Sequence, residues 1–374
     1  MSNFWQSKKV LVTGHTGFKG AWLCQWLLQL GAEVRGISLD PNTNPSLFEQ
    51  LDLASHLDHQ IGDIRDRQLT QRLVTDWQPE IVFHLAAQPL VRRSYVEPVE
   101  TWDTNVMGTI NVLEALKLLK NPCVAVCITT DKCYENREWL YGYRENDPLG
   151  GHDPYSSSKA AAELAIASWR NSFFNKSHIS IASVRAGNVI GGGDWAEDRI
   201  VPDAMRSLSL GEAIPVRNPR ATRPWQHVVE PLGGYMLLAQ KIYESKDLDK
   251  AKLCSAFNFG PRLDSNRPVK DLIETILQHW AGDWSDRSNP DAVHEANLFN
   301  LVTDKAFHLL GWQPKWDFER TIKETVFWYR EANQISLESK AQFQELTIQQ
   351  IANYQADVVH TSQDNQELKF LAQS

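Results

Sequence analysis

Two rhythms alternate through the first half of the chain. Short runs of consecutive apolar and β-branched residues read as strands: "KKVLVTG" (8–14), "AEVRGISLD" (32–40), "EIVFHLAA" (80–87), "CVAVCITT" (123–130) and the start of "ISIASVRAGNVIG" (179–191). Between them lie segments with apolar residues at helical spacing: "AWLCQWLLQLG" (21–31), "DRQLTQRLVTDW" (66–77), "TWDTNVMGTINVLEALKLL" (101–119) and "YSSSKAAAELAIASWRNSFF" (155–174). Strands apolar on both faces and separated by helices predict an α/β fold, a doubly wound parallel sheet with helices on each side.

Past residue 190 the rhythm breaks. Gly, Pro and Trp become frequent, and the pattern predicts a smaller C-terminal α/β lobe over 191–335. Its strand pieces fall near "AIPVRN" and "AFNFG", and a helix falls at "VKDLIETILQHW". Part of the chain then returns to the first domain, 1–190. The stretch 336–374 is rich in Gln, Ser and Asn and predicts a peripheral helix with a loose tail.

Charge narrows the range of partners. With 38 Lys and Arg against 46 Asp and Glu, the net charge is −8, and no basic run offsets it, so a nucleic-acid surface is not expected. The five cysteines form no CxxC pair and have no histidine at zinc spacing, so no metal is expected and reduced thiols are. No apolar run reaches the roughly 20 residues of a membrane span, and "MSNFWQSKK" lacks a signal-peptide core. These readings predict a soluble, cytoplasmic protein.

"TGHTGFKG" ends the first strand and opens the first helix, with glycines at Gly14, Gly17 and Gly20. In that setting glycine permits a tight turn and close approach of backbone to a pyrophosphate, and the helix N-terminus supplies amide donors. A Rossmann-type dinucleotide site follows. Lys19-Gly20 is the wrong order for a phosphate-binding loop of the Gly-Lys-Ser/Thr kind. Asp40, at the end of the second strand, suits the ribose hydroxyls and so favours NAD over NADP, although Arg35 and Ser38 lie close enough to modify the choice. Asp63 in "GDIRD" suits the adenine amino group or, equally, a helix N-cap.

"YSSSK" sets Tyr155 and Lys159 at i and i+4, on one helix face. A cation about 4 Å from the phenol stabilises tyrosinate by roughly 4 kcal/mol at an intermediate dielectric, about three pKa units. Tyr155 then serves as a base for a hydroxyl proton while hydride leaves the same carbon. Just upstream, "ITTDKCYEN" places Thr130, Asp131 and Lys132 where a buried strand surfaces.

The glycine signature, "HLAAQ" (84–88), "DTNVMGT" (103–109), "TTDK" (129–132) and "YSSSK" occur in the order of the extended short-chain dehydrogenase/reductases. The Thr-Asp pair resembles that family's nucleotide-sugar 4,6-dehydratase branch. "GNVIGGGDWAEDRIVPD" (187–203), "RPWQHV" (223–228) and Lys132 in place of a glutamate resemble the members that act on CDP-glucose. The resemblance covers residues 8 to about 330.

It implies C4 oxidation, loss of water across C5 and C6, and return of hydride to C6 on bound NAD, in service of deoxysugars for surface polysaccharide such as lipopolysaccharide O-antigen. It implies Tyr155 as base and Lys159 as its partner, Thr130 on the 4-oxygen, and Asp131 as a protonated acid for the 6-hydroxyl. Lys132 is then the C5 base if neutral, an enolate stabiliser if cationic, or a solvated lysine. Cofactor contacts are implied at Gly14, Thr16, Gly17, Phe18, Lys19, Gly20, Asp40, Asp63, Ile64, Leu85, Ala86, Ala87, Asn105, Thr129, Tyr155 and Lys159. Substrate contacts are implied at Gln88, Asn188, Arg199 and Arg223, with Asn188 and Arg223 on the diphosphate. His294 and Glu295 fall near the substrate side but read as core or surface equally well. The long helices imply a homodimer or homotetramer through a helix bundle. A nucleotide-sugar 4-epimerase or reductase, a 4,6-dehydratase for another nucleotide sugar, and a non-catalytic dinucleotide sensor are the competing functions; Asp131 speaks against the epimerase and the four intact reactive residues against the sensor.

Overall fold

The architecture comes from a computed structural model that describes residues 2–288 and 298–371. Seven parallel strands form one sheet: β1 (Lys9–Thr13), β2 (Glu33–Ser38), β3 (Asp58–Ile61), β4 (Ile81–His84), β5 (Cys123–Ile128), β6 (Ile179–Arg185) and β7 (Ala256–Asn258). Their order is β7-β6-β5-β4-β1-β2-β3. The chain winds outward from β1 in both directions, so β1 and β4 flank the point where strand order reverses. In open sheets of this kind, ligands bind outside the carboxyl ends of the strands at that point.

β4, β5 and β6 have no exposed residue, which explains their unbroken apolar text. Successive side chains still point to opposite faces. Val10, Val12, Phe83 and Val126 pack on one side, with Trp22 and Trp26 of α1 (Phe18–Gln29). Leu11, Val82, Ala125 and Ile181 pack on the other, with Val74 of α2 (Arg67–Trp77), Leu113 of α3 (Thr109–Leu116) and Ile166 of α4 (Pro154–Trp169).

Beyond β6 the chain adds α5 (Ile200–Leu210), α6 (Val229–Glu244), α7 (Phe318–Ala332) and α8 (Lys340–Leu371). Short strand pairs join 189–190 to 226–227, 214–216 to 284–286, and 222–224 to 266–268.

The structure departs from the sequence pattern at four places. "AFNFG" does not belong to the smaller lobe: β7 joins the main sheet beside β6. The hydropathy pattern does not mark β3 at all, because "DHQI" is a polar edge strand with no buried residue. The helix expected over 101–119 begins at Pro98, passes through a π-helical turn at Asp103–Gly108 and ends at Leu116.

Finally, α8 is not peripheral. Phe343, Thr347, Gln350, Ile351 and Tyr354 are buried. Gln344 donates to the Leu51 carbonyl at 2.7 Å, Gln350 to the Glu324 carbonyl at 2.7 Å, and the Tyr354 hydroxyl to Glu230 at 3.0 Å. Glutamines that cap buried backbone look like surface residues in a hydropathy count, which is why the stretch reads as a tail.

Candidate active site

Most of the expected site residues come from the carboxyl ends of β1 to β6 and from the N-termini of α1 and α4, the rest from the π turn and the later chain. At β1, Gly14 has φ +77, and a Cβ there would lie 2.7 Å from the Ala86 nitrogen. Glycine therefore lets the β1 turn pack on the Leu85–Ala86 backbone, which is also held by Leu85 N–H to the Thr13 carbonyl (3.1 Å) and Ala86 N–H to the Thr13 hydroxyl (3.2 Å). Thr16 ties the loop to β2: its hydroxyl is 2.7 Å from that of Ser38 and donates to the Leu39 carbonyl at 2.9 Å.

Gly17 is exposed and is the N-cap of α1, with no side chain capping the helix. Phe18 is half-buried beside Gly191, and Gly20 sits where any Cβ would overlap the Gly14 carbonyl. An open helix N-terminus behind a glycine turn fits a pyrophosphate. Lys19, on the first turn of α1, is pushed down to about 8 by burial and by Arg199 nearby, with Asp131 opposing.

At β2, Asp40 is exposed just past the strand. Arg35 is removed from this end: its guanidinium binds Asp58 and lies over the Trp77 ring, 4.5 Å from its centre. At β3, Asp63 is neither free nor a helix cap. Its carboxylate takes the Arg65 guanidinium at 2.6 and 2.9 Å and the Arg65 N–H at 2.9 Å, while Asp66 caps α2 by accepting from Leu69 N–H at 3.0 Å. Ile64 is buried against Gly108.

Two expected contacts are committed within the protein. Gln88 donates to the Leu90 carbonyl (3.1 Å) and the Thr101 hydroxyl (2.9 Å) and accepts from Leu90 N–H (2.6 Å). Its amide folds the β4 loop. Asn105 sits inside the π turn, accepts from Gln88 N–H at 2.8 Å, and donates to the Gln88 carbonyl (3.1 Å) and the Ser158 hydroxyl (2.9 Å). The Asn105 amide thereby ties the Ala87–Gln88 loop to α4.

At β5, Thr129 is likewise spent inward, donating to Glu163 at 2.6 Å. Thr130 then begins a single 3₁₀ turn: it accepts from Lys132 N–H at 3.3 Å and donates to Asp131 Oδ1 at 3.0 Å. Asp131 is only 2% exposed, and burial raises its pKa against the pull of Lys132, the Thr130 hydrogen bond and Arg223. A carboxyl poised this way is suited to hold a proton. The sequence did not reveal what makes room for it. A Cβ on Gly187, at the end of β6, would overlap Asp131 Oδ2. Gly187 is visible as a letter in "GNVIGGG", but only the fold puts it against Asp131.

α4 starts at an Asp153 cap, which accepts from Ser156 N–H at 2.9 Å, with Pro154 at the first position. Tyr155 and Lys159 project from its buried side. The expected lowering of the phenol is not seen. Burial pushes Tyr155 up; a hydrogen bond with Thr130 and the charge of Arg199 draw it down, and Asp131 and Asp153 push it further up. Lys159 is itself brought down to about 8 by burial, with Glu163 opposing. The simple ion-pair estimate omitted desolvation, which acts on both groups.

From the later chain, Arg199 caps the start of α5 and donates to Asp194 at 2.7 Å. Arg223, buried, donates to the Thr222 carbonyl at 3.0 Å and acts on Asp131. Asn188 is half-buried and its carbonyl accepts from Gln226 N–H at 3.3 Å. His294 and Glu295 lie outside the described residues. Among the described residues no group of three or more His, Cys, Asp and Glu side chains is placed to hold a metal, and no helix is long and apolar enough to cross a membrane.

Residues 11–325 match the family model described as GDP-mannose 4,6 dehydratase. The chain belongs to this family. A CDP-glucose 4,6-dehydratase of Salmonella typhimurium is 49% identical over 336 residues, 88% of this chain and 92% of that protein. A dTDP-glucose 4,6-dehydratase of Xanthomonas campestris is 26% identical over 85% of this chain and 92% of its own. Among solved structures, a dTDP-glucose 4,6-dehydratase of Bacillus anthracis in complex with NAD superposes with a TM-score of 0.72 at 21% identity, covering 88% of this chain and 98% of that one. A UDP-glucose 4-epimerase of Thermotoga maritima reaches 0.74 at 22% identity, covering 86% and 99%. At such identities the structural likeness speaks for the fold, which dehydratases and epimerases of the family share.

Proposed function

We propose that the protein is an NAD-dependent CDP-glucose 4,6-dehydratase, which converts CDP-D-glucose to CDP-4-dehydro-6-deoxy-D-glucose and water. The observation that carries this reading is Asp131: a buried carboxyl whose pKa is raised, beside Thr130 at the end of β5, in a chain 49% identical to a CDP-glucose 4,6-dehydratase. An epimerase or reductase has no use for an acid at that point; an elimination needs one.

Gly14–Gly20, Asp40 and the Leu85–Ala87 loop would hold NAD, which when bound would supply the hydride acceptor for C4 and the donor for C6. Tyr155 takes the proton of the 4-hydroxyl, with Lys159 and Thr130 stabilising the charge left on it. Asp131 gives its proton to the departing 6-hydroxyl. Lys132 takes the C5 proton when neutral; its half-buried position next to Asp131 supports a role at that edge of the site. Arg199, Arg223 and Asn188 supply the polar and positive surface for the diphosphate. The product is a precursor for deoxysugars of surface polysaccharide.

The working unit is a homo-oligomer. Val99, Trp102 and Met107 on the 98–108 helical stretch and Leu164 on α4 are 41–81% exposed, an apolar face that a second copy of the chain would cover.

The test is a panel of CDP-, dTDP-, UDP- and GDP-glucose, each deuterated at C4. Only CDP-glucose should give 4-keto product efficiently, with the label at C6. Label recovered in solvent or in free NADH would overturn the mechanism, and preference for another nucleotide would overturn the substrate.

A further inference from the structure

Glu163 lies one turn beyond Lys159 on α4, and nothing in the reaction described above uses it. It is 2% exposed, an unusual place for a carboxylate, and it is tied down from three directions. Thr129, at the end of β5, donates to Oε1 at 2.6 Å. Ser183 and Arg185, both on β6, donate to Oε2 at 2.9 and 2.8 Å. Arg185 is in turn held by the Glu145 carbonyl at 3.0 Å and by the Tyr134 hydroxyl at 2.8 Å, and Tyr134 donates to Asn258 of β7 at 2.7 Å. One buried network therefore joins α4, β5, β6, β7 and the segment that follows the Thr130–Lys132 turn. Oε2 carries two donors and Oε1 only one, so Oε1 keeps uncommitted lone-pair capacity.

Residues at i and i+4 are neighbours on a helix, and both Lys159 and Glu163 are buried. A buried ammonium tends to lose its proton unless a negative charge is fixed nearby. The charged and titratable groups around Lys159 are Glu163 and Tyr155 on its own helix, Cys127 on β5, Cys133 after β5, Lys19 on α1 and His84 on β4. Both cysteines are held as neutral thiols by burial, and His84 as neutral imidazole. Arg185 and Arg170 act on Glu163 and are not among the groups acting on Lys159. Glu163 is thus the one carboxylate among those groups.

We propose that Glu163 is a positioning residue for the reaction site: its carboxylate, anchored to β5 and β6, is the fixed counter-charge that keeps Lys159 an ammonium and holds α4 in register with the Thr130–Asp131 turn. The importance of that ammonium for turnover rests on the function proposed above; the counter-charge itself does not.

Two variants separate charge from packing. Glu163→Gln keeps the shape but leaves the buried Arg185 without its counter-charge, so Glu163→Gln combined with Arg185→Met is made alongside it as a neutral form. The full-length protein with NAD is used throughout. The titration of Lys159 is read by competitive acetylation across pH with mass spectrometry, which needs no substrate. The pH dependence of cofactor reduction by CDP-glucose is read in parallel, with thermal denaturation confirming folding.

Removing the negative charge should move the Lys159 titration at least one pH unit toward acid in both variants. The fall of the reduction rate on the alkaline side should move with it, giving a loss of about fivefold or more at pH 8 that narrows toward pH 6. A Lys159 titration unchanged in the folded variants overturns the proposal. A titration that moves while the rate profile stays supports the counter-charge and overturns the place of Lys159 in the reaction.

Discussion

At the β5 end of the cleft, Thr130, Asp131, Tyr155 and Lys159 are each at most 7% exposed; at the β2 end, Asp40 stands in solvent and Gly17 is open. The same sheet edge carries both. Burial is what moves Asp131 and Tyr155 up and Lys159 down to about 8, so the reacting groups are defined by desolvation before any neighbour acts. The β2 end offers instead backbone shape and an exposed carboxylate, Asp40. Chemistry at this edge needs displaced ionisation, and binding needs only complementary geometry.

The largest expected effect tests the buried end. Asp131→Asn should lower formation of the 4-keto-6-deoxy product by about 10²–10⁴-fold, while reduction of bound cofactor by CDP-glucose survives within about tenfold. Because the acid must carry its proton, wild-type elimination should fall as pH rises through the raised pKa, and the variant should lose that dependence. Equal loss in oxidation and elimination would count against the assignment.

A Cβ at Gly187 asks whether position as well as burial matters. Gly187→Ala should displace the Asp131 carboxyl and cost about 10²-fold in turnover, with cofactor affinity unchanged by titration. Normal turnover would mean that the carboxyl has room to act from elsewhere.

The open end should respond differently. Asp40→Ala removes a charged hydrogen-bonding group worth about 1.5 kcal/mol, so NAD should bind roughly tenfold more weakly while kcat at saturating NAD stays near wild type. A drop in kcat would blur the division between the two ends.

A buried carboxyl far from the chemistry calibrates the burial rule. Glu230 is fully buried, accepts from Lys315 and Trp316 N–H and from Tyr354, and is pushed up to about 7 by burial. Its folded pKa lies above the ordinary value of 4.5, so its contribution to stability is present below that value and is lost as pH rises through about 7. The loss is about 3 kcal/mol, and Glu230→Gln should escape it: a Tm a few degrees above wild type at pH 8, no gain at pH 5, and unaltered activity. A gain at pH 5 as large as at pH 8 would show that packing, not ionisation, sets the difference.

Much of the site was legible because its signals are local. "TGHTGFKG" and "YSSSK" act through backbone turns and helix spacing, which short stretches of chain carry by themselves, and both sit where the pattern put them. The β1, β4, β5 and β6 strands showed for the same reason: their burial on both faces leaves unbroken apolar text. What stayed hidden depends on partners far away in the chain. The bonds of Gln88 to Thr101 and of Thr129 to Glu163 could not be read, because nothing local in either stretch reveals the partner. The polar strand β3 and the glutamine-rich α8 read as surface because their hydrogen-bond acceptors lie in other elements.

The sequence by itself determined the doubly wound sheet, the glycine turn that opens the first helix and the placing of Tyr155 and Lys159 on one helix face, since periodicity, glycine conformation and i,i+4 spacing are properties of neighbours. Only the tertiary structure decided their ionisation. Burial at β5 raises Asp131, Gly187 makes room for it, and the Glu163 network comes within reach of Lys159 once α4 is laid against β5 and β6, because desolvation and long-range contact exist only after the chain has folded.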